Sequence, residues 1–189
     1  MVTDFSEYFD GKVEAYPYEE THDLRTGPDL NQALLPLLPF VGVWRGKGHG
    51  SYPSVPEFHY GQEIRVSHDG RPFLFYESRT WLIDATGKPV RPAAREAGFF
   101  RPVADKPDEV ELLLTHPTGI LELYVGRVKG VQMELVTDAV VRTPTAKEVT
   151  AGHRLYGIVD RDLAYVAEMA AEGHPLQSHL SAKLERVGG

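Results

Sequence analysis

Residues 42–53 read Gly42-Val43-Trp44-Arg45-Gly46-Lys47-Gly48-His49-Gly50-Ser51-Tyr52-Pro53. Gly46, Gly48 and Gly50 recur every second residue, so on a strand they share one face. Glycine weakens a strand interior and marks a bend, or a place where something approaches the backbone closely. The spacing leaves both explanations open: a flat ligand lying against that face, or a barrel corner that bends sharply. The stretch is not a nucleotide-binding loop. Ser51 breaks G-x-G-x-x-G, Tyr52-Pro53 does not open the helix that fingerprint needs, and no G-K-S/T ends the run.

Downstream of this segment the texture stays the same. Short runs rich in Val, Ile, Leu, Tyr and Phe alternate with Gly, Pro and Asp turns. The runs predict ten strands, at 41–48, 61–67, 72–81, 96–102, 109–115, 120–125, 132–141, 152–159, 164–170 and 178–187. Turn signals fall at 68–71, 85–88, 105–108 and 159–162. Short strands at close spacing, with no helices between them, predict an all-β antiparallel barrel or sandwich. Closure into a barrel of this size leaves room for a single ligand. Upstream, Asp29 is placed to cap a short helix with Gln32 three residues on. Pro36 and Pro39 hold that helix to about two turns, a suitable lid for one barrel end. Residues 1–28 have no apolar period and read as a loosely held arm, leaving 29–189 as the barrel domain.

Composition narrows the function. The formal net charge is −7, which argues against nucleic acid, since its binders carry a basic patch. The chain has no cysteine, so disulfides, thiolate metal sites and thioether-linked cofactors are excluded. No secretory signal opens the sequence, and the longest apolar stretch, 33–44, is too short to span a bilayer. A soluble, cytoplasmic protein without a membrane partner is expected. No Ser-His-Asp set or carboxylate pair stands out, so hydrolase chemistry has no support.

The pattern G-x-W-x-G-x-G-x-G-x-Y-P in 42–53 resembles the signature of the nitrobindin family. Further segments are similar to that family: 58–63 (FHYGQE), 67–72 (SHDGRP), 96–102 (EAGFFRP), Thr118-Gly119 and 175–180 (PLQSHL). The resemblance covers about 35–187. It implies a ten-stranded barrel shaped like the fatty-acid-binding proteins and lipocalins. It also implies haem b near one mouth, its iron held by a histidine of the last strand, here His179. Implied activities are nitric oxide binding and the isomerisation of peroxynitrite to nitrate, by a monomer or homodimer. The rival reading is a barrel that carries a fatty acid or other apolar molecule without iron chemistry. His179 separates the two, because a lipid carrier needs no ligating imidazole there.

Eight histidines are present, and none forms H-x-H or H-E-x-x-H. His22 and His68 read as solvated, His153 and His174 as exposed, and His49 and His59 as surface residues. His179 alone falls on the family's metal-ligand position. Strict alternation sets it with Ser181, Lys183 and Glu185, away from Leu180, Ala182 and Leu184. A bulge near Leu180 is therefore needed, unless the cofactor lies where the barrel opens. The distal side departs from the family. Ala94, preceded by Ala93, stands where plant and animal members carry histidine. His116 either reaches the pocket as the catalytic group that steadies the substrate, or merely begins the turn at Pro117. Ser54 stands where relatives place a threonine that contacts haem. Lys147 matches a family lysine at the rim; it pairs with a haem propionate or is a solvated loop lysine. Gly46, Gly48 and Gly50 complete the expected cofactor contacts.

Overall fold

The computed structural model describes residues 12–189; part of the expected arm, residues 1–11, lies outside the described residues. The strands are β1 (Gly42–Tyr52), β2 (Val55–Ser67), β3 (Leu74–Ile83), β4 (Pro89–Val103), β5 (Lys106–His116), β6 (Ile120–Lys129), β7 (Gln132–Arg142), β8 (Val149–Val159), β9 (Asp162–Ala171) and β10 (His174–Gly188). Each pairs antiparallel with its neighbour in sequence, and β1 pairs with β10, closing the barrel. All ten predicted runs are strands. The largest differences are at β2 and β4, which begin six and seven residues before the predicted starts at 61 and 96. Pro56, Pro89 and Pro92 hid those extensions. Pro92 is tolerated because the pairing slips there, between Arg79 and Trp81 of β3.

The turns follow their sequence signals. Asp160 and Arg161 both take positive φ, 53° and 72°, in the two-residue link from β8 to β9, the twist that favours such hairpins. The signal at 105–108 extends too far. Asp105 turns at φ 62°, and Lys106 already pairs with Val103.

Alternation along the strands builds the core. Trp44, Ile64, Leu74, Phe100, Leu112 and Leu135 point inward and are almost fully buried. The short helix spans Gln32–Phe40 and is a 3-10 helix. Its buried residues, Leu34, Leu37 and Phe40, are three apart and so lie on one face at three residues per turn. Each such burial contributes about 1.5–3 kcal/mol. The cap is Asn31, whose side chain accepts from the Ala33 amide at 3.1 Å; Asp29 lies too early, because the helix begins only at Gln32. The indole of Trp44 donates to the Phe40 carbonyl at 2.9 Å, and Arg186 donates to Pro39 at 2.9 Å. These contacts plug the barrel end where β1 starts and β10 finishes.

The arm is tied down at the same end. Thr21 and His68 exchange backbone hydrogen bonds of 2.8 and 2.9 Å. His68 is thereby fully buried, contrary to the expectation of a solvated turn histidine. Burial lowers its pKa, with Asp69 opposing. His22 is half-buried rather than free, with its ring against Gly188. Local turn residues carried no sign that a distant segment would close over them.

The opposite end is the open mouth. There β7 and β8 part company, their pairing ending at Val136 and His153. Thr137 bridges the gap, accepting from the Gly152 amide at 3.0 Å. His153 is not exposed as expected. Its two ring nitrogens lie 2.8 Å from Glu168 and 3.0 Å from Glu134 on the outer face.

Candidate functional site

A cavity of about 420 Å³ opens at this mouth, between β2, β3, β4 and β10. Val55, Pro56, Phe58, Leu82, Ala93, Ala94 and Leu180 give it apolar walls, and His179 faces it. A larger concavity of about 740 Å³ lies across the strand faces of β3–β6, around Phe75, Phe99 and Leu113, and no histidine lines it.

His179 reaches the cavity through a bulge. The β9–β10 pairing slips between Ser178 and Leu180, so His179 and Leu180 both face inward. This resolves the parity conflict in the sequence. The ring's Nδ1 lies 3.1 Å from the Ser51 carbonyl, which accepts only a proton-bearing nitrogen. Nδ1 therefore carries the hydrogen, and the Nε2 lone pair is left free. Tyr52 packs edge-on against the same ring at 5.5 Å between centroids. Burial lowers the His179 pKa, the Ser51 hydrogen bond opposes that, and the Lys147 and Arg154 charges add to the lowering. The imidazole is thus oriented and kept neutral, which a metal ligand requires.

Beneath the apolar walls lies a polar floor that the sequence reading missed. Arg154 Nη2 donates to Glu96 Oε1 at 2.7 Å, and Nη1 donates to Oε2 at 3.1 Å. Tyr76 donates to Glu96 at 3.1 Å, while Tyr124 and Tyr156 accept from Arg154 at 3.2 and 3.3 Å. Burial pushes the Glu96 carboxyl up. The Arg154 charge and hydrogen bonds, the His116 charge and the Tyr76 hydroxyl outweigh it, holding the group at about 2. Beside this pair Tyr60 and Tyr165 join hydroxyls at 2.8 Å, Tyr165 donates to Gln62 at 2.9 Å, and Gln62 donates to Ser78 at 2.9 Å. Burial pushes Tyr60 up to about 12. A signal for this floor existed. Gln62, Ser78, Glu96 and Arg154 all fall on the inward parity of their strands, where a polar residue demands a partner.

The other candidates distribute as follows. Gly48 and Gly50 stand behind two rings of the cavity wall. A Cβ on Gly48 would lie 2.1 Å from the Tyr60 ring, and one on Gly50 2.3 Å from Phe58. A Cβ on Gly46 would strike the Lys183 carbonyl at 2.2 Å. The glycine face is therefore filled by neighbouring rings and backbone, and it is those rings that line the cavity. Ser54 donates to Glu172 at 2.5 Å, and Lys147 meets the same carboxylate at 3.0 Å. Both sit at the mouth that holds His179, and both already have a partner. His116 does not simply start a turn. Its Nε2 lies 2.9 Å from the buried Glu122 carboxylate, and its Nδ1 lies 3.9 Å from Glu96. It enters the same mouth from β5, across the barrel from β10, but is not among the residues lining the His179 cavity.

These residues fit haem. Among the described residues no three of His, Cys, Asp and Glu converge to hold a bare metal ion. A metal at the single free Nε2 of His179 needs its remaining ligands from a prosthetic group, and the apolar walls suit a flat porphyrin.

Comparison with known proteins agrees. The family model described as THAP4-like, heme-binding beta-barrel domain matches residues 33–186. A protein named peroxynitrite isomerase from Salinispora arenicola (strain CNS-205) is 64% identical over 180 residues, which is 94% of this chain and 92% of that protein. A ferric nitrobindin-like protein from Saccharopolyspora erythraea is 51% identical over 173 residues, 90% of this chain and 81% of that protein. The crystal structure of Rv2717c from M. tuberculosis matches with a TM-score of 0.74 at 42% identity, covering 84% of this chain and 99% of that one. Closed barrel, oriented His179 and family match coincide over the same residues, and the chain belongs to the THAP4-like, heme-binding beta-barrel domain family.

Proposed function

We propose that this protein binds haem b non-covalently through His179, isomerises peroxynitrite to nitrate, and also takes up nitric oxide. The observation that carries the reading is the His179 ring, fixed through Nδ1 by Ser51 and lining an apolar cavity. The names of the relatives point to the same reaction. When bound, haem supplies an iron centre that acts as a Lewis acid toward the anion and weakens its O–O bond.

The chain's own residues do the rest. Ser51 and Tyr52 hold the imidazole, and burial keeps it unprotonated. Phe58, Leu82 and Leu180 exclude water. Ala93 and Ala94 offer no donor to a ligand at the cavity and leave space for one. His116, anchored on Glu122 at the same mouth but outside the cavity lining, is the group we assign to steadying the anion as it enters. The fatty-acid-carrier reading has less support. A carboxylate inside the barrel needs a free buried cation, and Arg154 is already matched by Glu96.

The test is spectroscopic and kinetic. Haem-loaded protein should give its colour to acid–acetone, and His179→Ala should lose the wild-type Soret band. Stopped-flow peroxynitrite decay should be faster with wild type, with nitrate as product. An unchanged Soret band in His179→Ala removes the ligand assignment, and equal decay rates remove the enzyme. His116→Ala should slow the decay.

A further inference from the structure

We propose that Arg91 is a cation that holds the anionic part of the ligand at the His179 cavity, one of the two roles the sequence left open for Lys147. This rests on the cofactor reading above and adds a specificity-determining residue to it.

The protein carries −7, so an anion approaching the mouth needs local compensation. Of the thirteen arginines in the chain, nine lie within 4.0 Å of a carboxylate. Arg186 is occupied with the carbonyls of Pro39 and Val41 at the plugged end. Arg142 and Arg161 do not line the cavity. Lys147, the other cation near His179, is held by Glu172 at 3.0 Å.

Arg91 differs from all of these. It lines the cavity and is exposed, on β4 opposite Leu82. Among the described residues its side chain makes one hydrogen bond, to the carbonyl of its own neighbour Pro92 at 3.1 Å. Among the described residues no carboxylate lies within ion-pair distance of it. The next two cavity residues on β4, Ala93 and Ala94, have small side chains. The other charged groups facing the cavity leave Arg91 unopposed. Glu96 and Arg154 pair with each other, and Glu57, exposed at the rim, makes no ion pair with Arg91. A guanidinium without a partner beside an oriented imidazole matches a ligand with an apolar body and an anionic group. That anion is a carboxylate arm of the cofactor or a small anion bound beside it.

The experiment compares wild type with Arg91→Gln, Arg91→Lys and Lys147→Gln at low ionic strength. Apoprotein is titrated with hemin and with hemin dimethyl ester, which lacks the carboxylates. The hemin-loaded protein is then titrated with azide, an anion, and imidazole, which is neutral. If Arg91 holds the cofactor's carboxylate, Arg91→Gln weakens hemin by about twofold to fivefold, the range for one exposed charge pair, and leaves the ester unchanged. If it holds a small anion, azide weakens by that factor and imidazole does not. Arg91→Lys should fall between, and high salt should erase the difference. The proposal is overturned if Arg91→Gln leaves both the hemin-to-ester and azide-to-imidazole ratios at wild-type values, or if Lys147→Gln costs more than Arg91→Gln. Identical hemin spectra for wild type and His179→Ala would instead overturn the cofactor reading itself.

Discussion

Replacing Arg154 by Met tests the polar floor directly. Met keeps the length of the side chain and removes its charge and donors. Glu96 then loses two hydrogen bonds of 2.7 and 3.1 Å, and Glu122 loses a cation at 3.6 Å. Two routes give the magnitude. Glu96 is held at about 2 against its ordinary value of 4.5, and at about 1.4 kcal/mol per pH unit that is roughly 3 kcal/mol. Removing one partner of a buried pair costs about 3–5 kcal/mol by general experience. The expected loss at pH 7 is therefore about 3–5 kcal/mol. The pH dependence carries a second signature. In wild type the Glu96 pKa is depressed, so its contribution is present above 4.5 and is lost as pH falls through about 2. In Arg154→Met the same carboxyl is buried without a cation, so its pKa rises above the unfolded value. The variant then gains stability as pH falls, and its deficit relative to wild type narrows between pH 7 and pH 4. Urea unfolding of both proteins at the two pH values measures this, with the slope as a check on two-state behaviour. The double variant Glu96→Leu/Arg154→Met should recover most of the loss, since the Glu96 charge is removed with its partner. A single-variant loss below about 1 kcal/mol, or a deficit that widens on acidification, would refute the reasoning; a buried pair worth so little falls outside the range above.

Three further outcomes are expected. Gly48→Ala places a Cβ 2.1 Å from the Tyr60 ring; overpacking together with a lost Tyr60 hydrogen bond should cost about 2–4 kcal/mol in urea unfolding, and a cost under 1 kcal/mol would show that the ring can move freely. Burial lowers the His179 pKa below 6.5, so its neutral form is favoured above that value and lost as pH falls through the lowered pKa. Hemin affinity should accordingly be flat from pH 8 to 6.5 and fall only below, and a decline already between pH 8 and 7 contradicts the assignment. Deletion of residues 1–28 should leave hemin affinity within about tenfold, roughly 1.4 kcal/mol, because Thr21 is tied to His68 at the end away from the cavity. A greater loss on hemin titration would mean the arm reaches the mouth.

The all-β class, the number of strands and the position of the lid were legible in the sequence, because alternation and turn chemistry are local. His179 was legible through its family position, but alternation alone pointed it the wrong way. Only the slip between Ser178 and Leu180 turns it inward, and a slip depends on how two strands pair, which neither strand records by itself. The same holds for the glycines. Their spacing announced a close approach without saying to what, and closure of the barrel supplied the Tyr60 and Phe58 rings and the Lys183 carbonyl. Glu96 and Arg154 are 58 residues apart, and nothing near either one names the other. Lys147 and Glu172 meet only where the mouth gathers two loops. What the sequence determined by itself was what neighbours along the chain set: strands, turns and the inward or outward parity of residues wherever the pairing runs without a slip. Which inward charges would cancel, and which cation at the cavity would stay free, was decided by the tertiary structure, because charge compensation acts through space between strands that the chain keeps far apart.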